Sequence, residues 1–296
     1  MTETTATPPK ALGLVAALSK PEAHQLATEI EARAKELGIP LVPESELSPN
    51  AAKQVDAILV LGGDGLMMRA AKAYPNTPLL GINFGKVGFL AQVERDDWKS
   101  ALDALVSGNY TIDESSTLNA TIQGDHGSED HGWAINDVVI RSGVRMIDIE
   151  LYVDGYYVNT FPGDGIIVAT SRGSTAYCMA AGGPILTGGV KGFAIVPISC
   201  HSPIRTPMVV AESAKIDLLF KSRYDASLIL DGRVTGELAP DDVVRVRRGQ
   251  NVCRLISVGE TDFYAAFRTK FNFRIRPELE PVRVPESIGG TRDASW

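Results

Sequence analysis

Four residues, Gly62-Gly63-Asp64-Gly65, carry the sharpest chemical signal in the chain. They follow a nearly continuous apolar run, Asp56–Leu61, and precede a helical pattern over about 66–74. A glycine turn between a buried strand and a helix permits positive φ. It also lets backbone N–H groups approach an anion with no Cβ in the way. The helix N-terminus adds partial positive charge, so a phosphate fits there. Asp64 is out of place for anion binding alone, because a carboxylate repels phosphate. It makes sense as a group that orients or deprotonates a hydroxyl attacking that phosphate, or that holds a divalent ion. In isolation the same four residues also suit a tight strand–helix turn with Asp64 as helix N-cap. Other glycine fingerprints fail. Gly81 to Lys86 is one residue too short for a P-loop, and Met68 stands where a dinucleotide fingerprint needs its third glycine. No Gly-x-Ser-x-Gly elbow is present.

Three further clusters could serve a site. Gly85-Lys86-Val87-Gly88-Phe89 follows the apolar run Leu79–Asn83, with Phe89 either in the core or on a pocket wall. Asn136-Asp137 lies within the apolar segment Trp133–Ile140. Polar side chains in a strand need partners or water, which an edge or a cleft supplies. Gly163-Asp164-Gly165 and Gly173-Ser174-Thr175-Ala176-Tyr177 flank another buried run, and Gly182-Gly183-Pro184 follows. Glycines, hydroxyls, an acid and an aromatic so close together suit a nucleotide pocket. Tyr177 can stack on a base or fill a core.

The elements that must position these residues divide into two textures. Up to about residue 115, strands and helices alternate: 11–18, a helix from Pro21 with Leu26, Ile30, Ala34 and Leu37 on one stripe, Ile39–Val42, Asp56–Leu61, 66–74, Leu79–Asn83 and about 96–107. That pattern argues for an α/β Rossmann-like layer. From residue 116 short β-branched and apolar segments dominate, Val243–Arg248 and Val252–Val258 among them, with Asp154-Gly155 and Asp231-Gly232 as tight turns and one helix over about 174–181. The expected division is a disordered tail over 1–10, an α/β domain over 11–115, a β-rich, sandwich-like domain over 116–275, and a loose tail over 276–296.

Composition excludes several classes. The chain has 296 residues, 44% hydrophobic and 22% charged, as expected for a globular protein with a sizeable core. Its net charge of −7 argues against a general affinity for nucleic acid or anionic lipid. Cys178, Cys200 and Cys253 are odd in number and widely spaced, which suits reduced thiols. The four histidines show no metal spacing, and His126 and His131 sit in a polar stretch that reads as a loop. No apolar run reaches a membrane span, and residues 1–10 lack a basic signal-peptide start, so the expected compartment is the cytoplasm.

Taken jointly, the clusters resemble the NAD kinases, ATP-dependent enzymes that phosphorylate NAD to NADP. The resemblance runs from about residue 12 to 270, in the family's order. Gly62–Gly65 matches the family signature, which diacylglycerol/sphingosine kinases and phosphofructokinases share. Asn83–Leu90 resembles an Asn-x-Gly-x-Leu-Gly-Phe-Leu loop, and Asn136-Asp137 an Asn-Glu pair. Gly163–Tyr177 with Gly182-Gly183-Pro184 resembles the long second motif. Pro197, His201-Ser202, Arg205 and Pro207 resemble a further segment, with Thr206 intervening. The resemblance implies an active site in a cleft between the two domains. It implies Asp64 as the base or hydroxyl-orienting group, and Gly62, Gly63 and Gly65 around the ATP phosphates, which Mg²⁺ or Mn²⁺ bridges. It places NAD against Phe89, Asn136, Asp137, Asp164, Arg172, Thr175, Ala176 and Tyr177. It further implies a homodimer or homotetramer in which a neighbouring subunit completes each NAD site.

The chain departs from the pattern in three places. Asp137 is one methylene shorter than the usual Glu, Leu66 replaces a Thr or Asn, and Ser171-Arg172 replaces Pro-Thr. Arg172 sets a permanent cation beside the expected pocket. It suits either a surface or acid-paired arginine, or a contact to a substrate phosphate or a neighbour's carboxylate. Arg233 raises the same question. Two other functions stay open on the sequence: a GGDG-type kinase of a lipid or sugar, and a dinucleotide-binding regulator without catalysis.

Overall fold

The computed structural model describes residues 7–17, 20–84, 88–125, 127–187, 189–259 and 267. The Gly85-Lys86-Val87 part of the second glycine loop, His126 and the 276–296 tail lie outside the described residues.

The first part alternates as the pattern requires: β1 (Leu12–Ala16), α1 (Pro21–Glu36), β2 (Leu41–Pro43), β3 (Ala57–Leu61), α2 (Asp64–Ala73), β4 (Leu79–Asn83), the short β5 (Val93–Glu94) and α3 (Trp98–Val106). Pro21 fits the first turn of α1, because its missing N–H has no acceptor there anyway, and the stripe Ala23, Leu26, Ile30 and Ala34 is buried. The strands pair in parallel in the order β4-β3-β1-β2, with β5 beside β4. β3 is buried along its whole length because helices cover both faces. Leu59 and Leu61 pack with Leu26, Ile30 and Leu102, while Ile58 and Val60 pack with Met67 and Ala70 of α2.

The rest is built from strands: β6 (Thr111–Gly124), β7 (Gly127–Ala134), β8 (Asp137–Ser142), β9 (Ile147–Val153), β10 (Tyr156–Gly163), β11 (Gly165–Ala169), then the one-turn α4 (Tyr177–Ala180), β12 (Gly192–Ile198), β13 (Met208–Ala211), β14 (Ile216–Phe220), β15 (Ala226–Leu230), β16 (Arg233–Leu238) and β17 (Val243–Ser257). A six-stranded antiparallel sheet runs β13-β12-β11-β8-β15-β16. It faces the antiparallel part of the other sheet. Their shared core includes Val138, Ile140, Ile166 and Phe193 from one sheet and Leu151, Leu218, Val244 and Val246 from the other. Each such side chain contributes about 1.5–3 kcal/mol over an exposed one. β17 then reaches β4 through Leu255 and Leu79, which joins the parallel and antiparallel strands into one eleven-stranded sheet.

Four expectations are corrected here. The run Trp133–Ile140 is not one strand: it breaks at Ile135-Asn136, and β7 and β8 lie in different sheets. The two segments expected at Val243–Arg248 and Val252–Val258 form the single strand β17, irregular between Arg248 and Val252 against β6. His131 stands in β7, its Nδ1 2.8 Å from the Thr235 carbonyl, and not in a loop. The helix expected over 174–181 is a 3₁₀ turn, Gly173–Thr175, followed by α4. In addition, β6 runs unbroken through residue 115. Thr7–Lys10 is held, since the Tyr110 hydroxyl donates to the Thr7 carbonyl and the Lys10 N–H to Asp56.

Candidate active site

The β3–α2 turn stays in register with the sheet, because the Gly62 N–H donates to the Ile82 carbonyl at 2.9 Å. Gly63, at φ −88, is the N-cap of α2, and Asp64 is its first helical residue. Asp64 is therefore not the N-cap. Its carboxylate turns to the segment after Gly88, where it accepts N–H bonds from Phe89 (3.1 Å), Leu90 (3.0 Å) and Ala91 (3.2 Å). A Cβ at Gly88 would overlap that carboxylate, so glycine is needed there for close approach. None of Gly62, Gly63 and Gly65 has a positive φ. The freedom expected of the signature is a matter of space and not of left-handed backbone. A Cβ at Gly62 would come 2.7 Å from Leu66 Cδ2, so Leu66 packs over the turn as an apolar lid.

The Asn136-Asp137 pair lies at a corner where the chain leaves one sheet for the other. Asn136 is clamped through its backbone: its carbonyl accepts the Thr170 N–H at 2.8 Å, and a Cβ at Gly173 would overlap it. The Thr170 hydroxyl donates to the Ile135 carbonyl at 2.6 Å. The carboxylate of Asp231 accepts N–H bonds from Ile135 (2.9 Å) and Asn136 (2.7 Å), with Asp137 at 3.3 Å. Asp137 is only 5% exposed. Burial, and secondarily the charge of Asp231, pushes its carboxyl up to about 7. Asp137 follows the corner directly as the first residue of β8.

The long glycine motif forms the neighbouring wall. Asp164 is exposed between β10 and β11, its N–H bound to the Ile198 carbonyl. Thr175 and Ala176 lead into α4, and the ring of Tyr177 lies under the Arg141 guanidinium at 5.8 Å. Ser174 ties this turn down, donating to the Ser171 carbonyl and accepting from the Leu186 N–H. Cys178 is fully buried beneath it, and burial first, then the nearby Asp137, pushes its thiol up to about 11. Arg172 is acid-paired within its own chain. It donates to Asp113 Oδ2 at 2.8 Å and to Ser115 Oγ at 2.7 Å, so it braces the turn against β6. Beyond α4, residues of the His201–Pro207 motif, including His201 and Arg205, line a cavity of about 580 Å³ with Gly182.

The structure thus brings the two halves together through α2. Met67, Ala70 and Ala71 of that helix share an apolar cluster with Ile135, Trp133 and Leu90. Lys72, in its last turn, pairs with Asp231 at 3.0 Å. The sequence marked Asp231 only as a turn residue and did not mark Lys72. The available signal was the Asp231-Gly232 pair, whose acid takes φ near 48 in the structure.

Comparison with known proteins decides what this arrangement is. Residues 16–110 match the ATP-NAD kinase N-terminal domain, and residues 135–258 match the ATP-NAD kinase C-terminal domain. The chain belongs to the ATP-NAD kinase family. It is 51% identical over 271 residues to an NAD kinase of Thermomicrobium roseum, covering 92% of this chain and 94% of that one. It is 36% identical to an NAD kinase of Geobacter metallireducens, covering 85% and 90%. Its fold is that of yeast NADH kinase solved with NADH (TM-score 0.79, 19% identity, covering 94% and 91%). It is also that of an Archaeoglobus fulgidus NAD kinase solved with ATP (TM-score 0.70, 24% identity, covering 88% and 97%). As a member of this family the enzyme phosphorylates NAD to NADP with ATP as donor. The NAD-kinase fold expected from the sequence, an α/β layer with a β-rich partner, is the fold observed.

Proposed function

We propose that the two halves divide the reaction between donor and acceptor. The 2′-hydroxyl of the adenosine ribose attacks the γ-phosphate of ATP. Asp64 orients that hydroxyl or takes its proton, and the loop amides that bind its carboxylate fix its direction. Backbone N–H groups of Gly62, Gly63 and Gly65 approach the donor phosphates at the start of α2, where the helix dipole favours negative charge. Phosphoryl transfer needs alignment and charge neutralisation more than covalent help. The α/β unit over 11–115 supplies the donor side and the β-rich unit over 116–275 the acceptor side.

Asn136 and Asp137 hold the adenosine side of NAD. Phe89, Asp164, Thr175, Ala176 and Tyr177 line the rest, and Arg172 serves the pocket by bracing its floor against Asp113. The divalent cation fits as a passenger on ATP. Among the described residues no three His, Cys, Asp or Glu side chains gather into a cage. Mg²⁺ commonly takes one or two carboxylates and otherwise phosphate oxygens and water. Bound there, Mg²⁺ or Mn²⁺ neutralises charge on the phosphates.

We place the enzyme in the cytoplasm as a homodimer or homotetramer. No helix among the described residues is long and apolar enough to cross a membrane, and the three cysteines are free and buried. Tyr156 (78% exposed) and Tyr157 (55%) lie on the edge strand β10, which leads directly to Asp164 and offers apolar surface for a neighbour.

The observation that carries this division is the clamped corner at Ile135–Asp137, joined to the helix that starts at Asp64. Asn136→Ala tests it through steady-state kinetics. The KM for NAD rises about tenfold, the scale of one lost hydrogen bond, and the KM for ATP stays put. Equal rises for both substrates would contradict the division.

A further inference from the structure

A tight turn needs only a residue that tolerates positive φ, and Asn or Gly would serve. Asp231 does more. Its side chain is 7% exposed, and its carboxylate gathers the N–H groups of the Ile135–Asp137 corner. A buried carboxylate is costly unless it is paired. Its partner comes from the other side of the site: Lys72 Nζ, 3.0 Å away, on the helix that begins with Asp64. The same ammonium donates to the Trp133 carbonyl and lies 4.7 Å from the centre of the Trp133 ring. One cation therefore touches the strand before the corner and the acid that holds the corner.

The geometry points to Lys72 and Asp231 as positioning residues that fix the register between the GGDG helix and the acceptor corner. This rests on the assignment of Asn136-Asp137 to NAD and Asp64 to the transfer. Lys72 stands eight residues after Asp64, about 12 Å along a rigid helix, so anchoring it sets where the helix start lies relative to the corner. Losing Lys72 leaves each half-site its own contacts. What changes is their mutual alignment, and a misplacement of about 1 Å can cost on the order of 100-fold in rate. The pair acts through Asp64 and Asn136 and touches neither substrate.

Four variants of the full chain test this, assayed with Mg-ATP and NAD and followed by thermal melts: Lys72→Met, Lys72→Arg, Asp231→Asn and the double Lys72→Met/Asp231→Asn. The expected result for Lys72→Met is a kcat about 10- to 100-fold lower, with both KM values within about threefold of the parent enzyme. Lys72→Arg keeps the charge and restores most of kcat. Lys72→Met also lowers the melting temperature, because it strands a buried acid. The double variant removes that acid's charge and regains the melting temperature, but its kcat stays low. Recovery of kcat together with stability in the double variant would show a merely structural pair and overturn the inference. A kcat for Lys72→Met within about threefold of the parent would do the same, as would a loss confined to KM. An unchanged KM for NAD in Asn136→Ala would defeat the acceptor assignment on which this rests, whereas a raised KM for NAD there beside a parent-like kcat in Lys72→Met would defeat the role of the pair alone.

Discussion

Asp137 has a carboxyl whose chemistry departs far from its type. A carboxyl pushed up to about 7 is protonated in the folded chain over the range between 3.8 and about 7, where the unfolded chain is ionised. The sign follows from proton counting. The folded state binds more protons across that window, so stability falls as pH rises through it and is level above it. The slope is at most roughly 1.4 kcal/mol per pH unit. Urea melts at pH 5 and pH 8 are therefore expected to show the parent losing stability relative to Asp137→Asn. The group whose charge bears on it is Asp231, held by Lys72. The kcat/KM for NAD is expected to titrate near neutrality in the parent and to flatten in Asp137→Asn, since that ratio reports groups of the free enzyme. A parent profile flat from pH 6 to 8 would remove Asp137 from NAD binding.

At the scale of elements, legibility in the sequence followed burial. β3 stood out because both of its faces are covered, and α1 because Pro21 and a clean stripe announced it. The Trp133–Ile140 run hid its break. Trp133 and Ile135 pack in the cluster around α2, while Ala134, Val138 and Ile140 lie in the core between the sheets, so hydrophobicity continues while the sheet changes. What turns the chain is Asp231, about 95 residues away, and no local pattern reports that. β17 looked like two segments because Gly249 sits at its irregularity, facing Thr117 of β6. The glycine signature and a role for its carboxylate were legible as a motif, but the groups that hold that carboxylate were not. The partner amides come from the segment after Gly88, where the sequence pointed to the Phe89 ring and not to the backbone N–H groups. That contact has a direct test. Gly88→Ala pushes a methyl into the Asp64 carboxylate and is expected to lower kcat about tenfold or more with secondary structure intact by circular dichroism. Unchanged kcat would show that the loop does not orient Asp64.

For the whole molecule, the proposed site lies where two differently built halves meet, and one sheet runs through both. The order of motifs was readable from the chain. Their convergence was not, because it depends on β17 returning to β4 and on α2 packing against Trp133 and Ile135. The sandwich core should stabilise this frame without tuning the chemistry. Ile166→Ala, at a fully buried position between the sheets, is expected to cost about 2–5 kcal/mol in urea unfolding. Its kcat at 25 °C should stay near that of the parent. A large fall in kcat with little loss of stability would mean that the core is coupled to catalysis.

The central claim is that Asp64 acts on the acceptor hydroxyl and does not merely begin a helix. Asp64→Asn keeps the side chain's shape and removes its charge. Its kcat for NADP formation, measured beside its Kd for NAD by titration calorimetry, tests the claim most directly. The expected kcat is at least about 100-fold lower, with a Kd within about threefold of the parent. A folded Asp64→Asn enzyme that still makes NADP at close to the parent rate would contradict it.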